Sequence, residues 1–176
     1  MGCCCSSNEE QESCIPITIV GLPGVGKTSI IEYLADDYDP QDPPVSTNGI
    51  IVRQILIHQH LYLFYDICGY TSHSEEWIDC CSKSEAIIFV FDPFSINNAR
   101  MHHTSLIKML SPIILQKKLP TLAIFNKADD STNFDGVANE LKDSIPGIPF
   151  HSARIQKLSP DLFKIFEWIE SYTVSN

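Results

Sequence analysis

Four short clusters of residues carry the chemistry of this chain. Gly21-Leu22-Pro23-Gly24-Val25-Gly26-Lys27-Thr28 fits G-x-x-x-x-G-K-[ST], the spacing of a phosphate-binding loop. Gly21, Gly24 and Gly26 let the backbone turn tightly, so that the segment from Gly21 through Val25 to Ser29 can present its N–H groups to an anion. A helix N-terminus behind the loop adds partial positive charge. Lys27 would reach the β- and γ-phosphates of a nucleotide, and Thr28 would give its hydroxyl to Mg²⁺. In the second cluster, Asp66-Ile67-Cys68-Gly69, the carboxylate can hold Mg²⁺ through a water, and the glycine lets its N–H approach the γ-phosphate. The third, Asn126-Lys127-Ala128-Asp129, reads the base: Asp129 can accept two hydrogen bonds from guanine's N1–H and exocyclic amine. Adenine offers no such pair, and a buried charge left unpaired rejects it on the order of 10⁴-fold. Lys127 would cover the base face with its aliphatic stem. The fourth, Ser152-Ala153, follows a short strand-like run and could offer the Ala153 N–H to guanine O6, although the dipeptide alone carries almost no information.

Such clusters work only if the fold brings them together. Ile15-Pro16-Ile17-Thr18-Ile19-Val20, apolar and β-branched, reads as a buried strand ahead of the phosphate loop, and Ser29-Ile30-Ile31-Glu32-Tyr33-Leu34 reads as the helix after it. Residues Asp36 to Pro44 hold three prolines and four aspartates and predict an exposed loop, either a plain connector or a mobile segment that delivers a residue to the bound phosphate. Ile50–Ile57 and Leu61–Tyr65 flank His58-Gln59-His60 as a hairpin. Its histidines read as turn residues rather than metal ligands, because no carboxylate or cysteine sits beside them. Ser84–Asp92 and Leu119–Phe125 read as buried strands, Asn97–Leu110 as a helix, and Phe150–Arg154 as a short strand. His102 and His103, adjacent and so on different helix faces, read as surface residues. Ser159-Pro160-Asp161 starts a last helix whose stripe of Leu162, Phe163, Phe166, Ile169 and Tyr172 reads as core packing. Strands alternating with helices predict an α/β fold, a doubly wound and mostly parallel six-stranded sheet with helices on both faces and ligands at the carboxyl ends of the strands.

Bulk properties narrow the function further. The 176 residues fit one domain, 44% hydrophobic content supports a real core, and a net charge of −10 argues against a nucleic-acid partner. No apolar run reaches the length of a membrane span, and no secretory signal is visible. Seven cysteines, three of them consecutive, make a poor disulfide framework, so a reducing cytosol is the better reading. Residues 1–14 read as a flexible lipidated segment, and residues 15–176 as the folded domain. Met1-Gly2-Cys3-Cys4-Cys5-Ser6 fits M-G-x-x-x-[ST], with Gly2 as a myristate acceptor. One myristoyl chain anchors only marginally, and residues 1–14 contain no Lys or Arg. Acyl groups on Cys3, Cys4 or Cys5 would supply the second signal. A metal-binding thiol cluster and a solvated tail are the competing readings of the same residues.

Taken in order, these motifs resemble a small GTPase of the Ras superfamily, and within it the Arf/Arl (ADP-ribosylation-factor-like) branch. The resemblance covers about residues 15–174 and rests on Gly2, the absence of a C-terminal prenylation cysteine, Thr47-Asn48-Gly49 at the branch's T-x-G, the spacing from Asp66 to Trp77, and Lys108-Met109-Leu110 at its R-M-L. It implies a P-loop NTPase fold, GTP/GDP and Mg²⁺ as cofactors, and Thr47 as the second Mg²⁺ ligand, with Ser46 the weaker substitute. It further implies switch loops around Thr47 and Gly69 with a sliding hairpin between them. The partners implied are an exchange factor, an activating protein and effectors at the cytosolic face of a membrane, in roles such as vesicle trafficking. Some residues depart from the branch. Tyr70 stands where Gln orients the attacking water, and a phenol cannot copy an amide that both donates and accepts. The catalytic group is thus Lys27, Gly69 and this Tyr70, which predicts slow hydrolysis. Cys68 replaces a glycine, and Asn48, Ile50 and Ile51 replace the usual effector-facing residues. Pro23 removes an N–H near the γ-phosphate, and the N-terminal segment lacks an apolar helical face. Two functions follow: a lipid-anchored GTP switch, or a non-cycling GTP-bound scaffold with little turnover. An ATP-dependent kinase is the third and is disfavoured by Asn126 and Asp129.

Overall fold

The computed structural model describes residues 14–92, 100–127, 133–147, 150–155, 167, 168, 170 and 171. Its elements in order are β1 (Ile15–Val20), α1 (Lys27–Leu34), β2 (Ile50–Ile57), β3 (His60–Ile67), a 3₁₀ turn (Thr71–His73), α2 (Ser74–Lys83), β4 (Ala86–Phe91), α3 (Arg100–Lys117), β5 (Thr121–Asn126), α4 (Asp135–Ser144) and β6 (Phe150–Ile155). The six strands form one sheet in the order β2-β3-β1-β4-β5-β6. Only β2–β3 is antiparallel; the other four pairings are parallel. This is the α/β architecture the alternation predicts.

Central strands covered on both faces need apolar residues at every position rather than at alternate ones. The runs Ala86–Phe91 and Thr121–Asn126 are buried throughout. On one face Ile30, Ile31 and Leu34 of α1 pack on Ile17, Ile19, Phe64 and Ile88. On the other, Trp77 of α2, Leu110 and Ile114 of α3 and Leu141 of α4 pack on Val20, Phe89, Phe91 and Phe125. The hairpin turns through His58 and Gln59, at φ 49° and 75°. Two successive left-handed residues match the twist of the strands they join.

Two expectations are corrected. The helix expected to end at Leu110 runs on to Lys117, straight through Pro112. Proline there leaves the Lys108 carbonyl without its helical donor, and the Ser111 hydroxyl donates to that carbonyl instead, at 3.2 Å. Full burial of Leu110 and Ile114 keeps both sides of the proline on the sheet. His103, expected at the surface, is buried and meets Phe91 edge-on with ring centroids 5.1 Å apart. It shares the stripe of Leu106 and Leu110, three and seven positions on, and that helical spacing faces the core. Helices α2 and α4 had no clear signal in the sequence. Glu75 and Glu76 in the first turn of α2 suit its dipole. The expected final helix falls largely outside the described residues, as do Gly2, Cys3, Cys4, Cys5 and Asp129.

Candidate functional site

The parallel strands β1, β3, β4 and β5 end on one side of the sheet, and the loops that follow them build a cleft. Its walls include Gly24, Lys27, Thr28 and Ser29 of the phosphate loop, Pro44 to Thr47 at the end of the acidic loop, Gly69 and Tyr70 after β3, and Lys127 after β5. The stretch Asp36–Pro44 thus delivers Ser46 and Thr47 to the cleft.

The phosphate loop is shaped by its glycines, through left-handed backbone at some positions and lack of room for a side chain at others. Gly26, at φ 97°, caps α1, and Gly24 sits at φ 76°, both in the region that favours glycine. A Cβ on Gly26 would strike the Asn126 side-chain amide, and one on Gly21 would strike the Val90 carbonyl. Gly69 lies flat on the same loop: a Cβ there would be 2.5 Å from both the Leu22 carbonyl carbon and the Pro23 nitrogen. Val25 is fully buried beneath the loop.

Lys27 is only 6% exposed, and its ammonium donates to the carbonyls of Gly21 (2.9 Å) and Leu22 (3.2 Å). Burial drives its pKa down from 10.5 to about 8, partly opposed by the carboxylate of Asp66. Asp66 is fully buried at the end of β3. Its Oδ2 accepts from the hydroxyls of Thr28 (2.7 Å) and Thr47 (3.2 Å), which are themselves 2.9 Å apart. Its Oδ1 is buried with no hydrogen-bond partner among the described residues. Burial raises the Asp66 pKa, while the Thr28 hydroxyl, Lys27, the Thr47 hydroxyl and Arg53 pull it back. A buried carboxylate with one orphaned oxygen and two hydroxyls gathered on the other is a hard-oxygen donor set, which fits Mg²⁺.

Asn126 and Lys127 belong to the same assembly. The Asn126 amide donates to the Val25 carbonyl at 2.8 Å, and the Lys127 ammonium to the Gly24 carbonyl at 2.7 Å. Lys127 sits at φ 56° and lies 3.5 Å from Asp92, which is 4% exposed at the end of β4. Sequence reasoning passed over Asp92, although a carboxylate directly after an all-apolar strand was the available signal. Trp77 was marked only by its spacing from Asp66. Its indole N–H donates to the Cys68 carbonyl at 2.7 Å, tying α2 to the Gly69 loop. Ser152 and Ala153 lie inside β6, opposite Ala123 and Ile124, rather than after the strand, and so stand back from the end of β5. Tyr70 is 56% exposed at the rim of the cleft.

Comparisons with known proteins agree with this geometry. The sequence pattern of the ADP-ribosylation factor family (Arf) matches residues 4–159. Human ADP-ribosylation factor-like protein 5A is 29% identical over 114 residues, 64% of this chain and 62% of that protein. The guanine nucleotide-binding protein alpha-1 subunit of Schizosaccharomyces pombe is 30% identical over 59 residues, 34% of this chain and 14% of that protein. The chain thus spans less than two thirds of the length of both relatives. Among solved structures, the Arl6 (BBS3) small GTPase of Trypanosoma brucei, with the nucleotide analogue GppNp bound, superposes with a TM-score of 0.74 at 16% identity. That superposition covers 93% of this chain and 99% of that one, a likeness of fold.

Proposed function

The chain belongs to the ADP-ribosylation factor family, and from that premise we propose that it is a guanine-nucleotide switch of Arf/Arl type with slow GTP hydrolysis. The observation that carries the reading is the convergence of Thr28 and Thr47 on Asp66, whose second oxygen is buried and unpaired. Thr47 comes from the loop after α1 and Thr28 from the phosphate loop, so a ligand that engages both joins the two segments. That is what a sensor of the γ-phosphate requires.

In this reading Lys27 neutralises the β- and γ-phosphates, and the backbone from Gly21 to Ser29 wraps them. Thr28, Thr47 and Asp66, the last through a water, would hold Mg²⁺, which supplies charge neutralisation of the phosphates when bound. Asn126 braces the phosphate loop, Lys127 covers the base, and Asp129 reads guanine. Gly69 offers its N–H to the γ-phosphate. At the position that must orient water, Tyr70 turns a half-exposed phenol to solvent and supplies no amide. Slow turnover follows from that substitution. In single-turnover assays Tyr70→Gln should hydrolyse GTP at least tenfold faster, and an unchanged rate would sink the assignment.

Anchoring by myristate on Gly2 and acyl groups on Cys3, Cys4 or Cys5 would place the switch on the cytosolic face of a membrane, where exchange factors, activating proteins and effectors meet it. A second reading, a GTP-bound scaffold that does not cycle, is favoured by the same Tyr70 and by Cys68. The nucleotide that copurifies with the full chain separates them: GDP supports a working switch, GTP a stalled one.

A further inference from the structure

We propose that Arg53 is a positioning residue for Thr47: its ion pairs to Glu32 and Asp37 close the base of the loop that carries Thr47 and hold that hydroxyl against Asp66. The proposal deepens the reading of Thr47 as a γ-phosphate sensor and rests on it for its nucleotide effects. Thr47 lies in a connection with no core of its own, for none of residues 36–50 is buried. The placement of such a segment depends on its two ends. At the first, the Asp37 N–H donates to the Glu32 carbonyl at 2.9 Å, which fixes the start of the loop to the end of α1. At the second, the chain enters β2, whose buried residues, Ile55 and Ile57, are confined to its far half. The near half, residues 50–53, is tied to the sheet through β3 alone. Arg53 joins it to α1. Arg53 stands opposite Phe64, and Ile51 opposite Asp66, so Arg53, Phe64 and Asp66 share one face of the sheet. That is the face α1 covers. There the guanidinium meets Glu32 at 3.2 Å and lies 3.8 Å from Asp37.

Glu32 follows Thr28 by one helical turn and so lies on the same side of α1 as the hydroxyl that meets Thr47. Residues 28–52 contain no Lys, Arg or His, against the carboxylates Glu32, Asp36, Asp37, Asp39 and Asp42. Without the guanidinium, Glu32 faces the acidic loop unscreened, and like-charge repulsion opens the loop's base. A hydroxyl on an opened loop samples more space, so its effective concentration at Asp66 falls. Burial raises the Asp66 pKa, and Arg53 is among the groups that pull it back. The same guanidinium thus favours the charged form of the carboxylate that Thr47 meets.

The test compares the full chain with Arg53→Gln, which keeps much of the stem and loses the charge. A non-hydrolysable GTP analogue should dissociate at least threefold faster from Arg53→Gln. GDP has no γ-phosphate to engage Thr47 and should dissociate within about 1.5-fold of the parent rate. Arg53→Lys, which keeps the charge, should hold the analogue's rate within about twofold of the parent, and Glu32→Gln added to Arg53→Gln should change it no further. Hydrogen exchange supplies a readout that needs no nucleotide. The Cys68 N–H donates to the Gly49 carbonyl at 2.8 Å and reports the second end of the loop; the Ile87 N–H, bonded to the Pro120 carbonyl at 3.0 Å, is the control in the middle of the sheet. Arg53→Gln should speed exchange at Cys68 at least threefold and leave Ile87 unchanged. An unchanged analogue rate, equal acceleration of both nucleotides, unchanged exchange at Cys68 or equal acceleration of both amides would each overturn the proposal. Faster exchange at Cys68 alone, in a chain that binds neither nucleotide, would uphold the loop closure and refute the γ-phosphate reading instead.

Discussion

With Lys27 on the nucleotide phosphates, as proposed, affinity becomes a function of pH. The Lys27 ammonium is almost wholly buried, and its pKa falls from 10.5 to about 8. The folded, ligand-free protein therefore holds this proton less tightly than the unfolded chain does. The sign follows: ligand-free stability is lowest below pH 8 and recovers as pH rises from about 8 towards 10.5, by on the order of 3 kcal/mol. A nucleotide phosphate placed on Lys27 reverses the preference, because an adjacent anion favours the charged amine. Binding then takes up a proton wherever free Lys27 is deprotonated. At pH 7 about nine-tenths of the free protein is charged at Lys27, and at pH 8.8 about one-seventh. The dissociation constant for GDP should thus rise about sixfold between those pH values. A fluorescent-nucleotide titration at fixed Mg²⁺ and ionic strength measures it. Lys27→Met binds weakly at every pH, but its pH slope should vanish, which separates the lysine from titration of the nucleotide itself. A constant that stays within twofold over the range, or an equal slope in Lys27→Met, would refute the reasoning.

Three further outcomes follow from named contacts. Gly69→Ala places a Cβ 2.5 Å from the Leu22–Pro23 backbone, which cannot yield; overpacking of this kind costs about 1–3 kcal/mol, and a GTP analogue should dissociate at least tenfold faster than from the parent in stopped flow. Trp77→Phe leaves the Cys68 carbonyl without its buried donor, a loss of about 1–3 kcal/mol, read as a melting temperature lower by about 3–9 °C. Asn126→Ala removes the bond to Val25 and should raise the GDP dissociation rate at least tenfold while the guanine-over-adenine preference, assigned to Asp129, persists in competition titrations.

The parts of the site legible in the sequence are those where chemistry dictates both residue type and spacing. Gly26, Lys27 and Thr28 could be placed because a tight left-handed turn before a helix admits few residues, and the buried runs of β4 and β5 because strands covered on both faces must be apolar throughout. Other features depend on tertiary partners. Proline at 112 is a strong local stop, and only the Ser111 hydroxyl and the sheet beneath Ile114 explain why α3 ignores it. The adjacency of His102 and His103 suggests two surface residues, but the spacing of His103 to Leu106 and Leu110 places it inward. Asp92 becomes informative only beside Lys127, a residue from the next strand's loop.

The bonds from Asn126 to Val25 and from Lys127 to Gly24 join segments 101 and 103 positions apart in the chain. They bind the loop that would read the base to the loop that would hold the phosphates. A nucleotide is therefore a bivalent ligand whose two docking points are already fixed at their working separation, so its second end engages at a high effective concentration. Guanosine alone and pyrophosphate alone each forgo that advantage. The whole nucleotide should bind more tightly than either fragment by far more than one added contact would give.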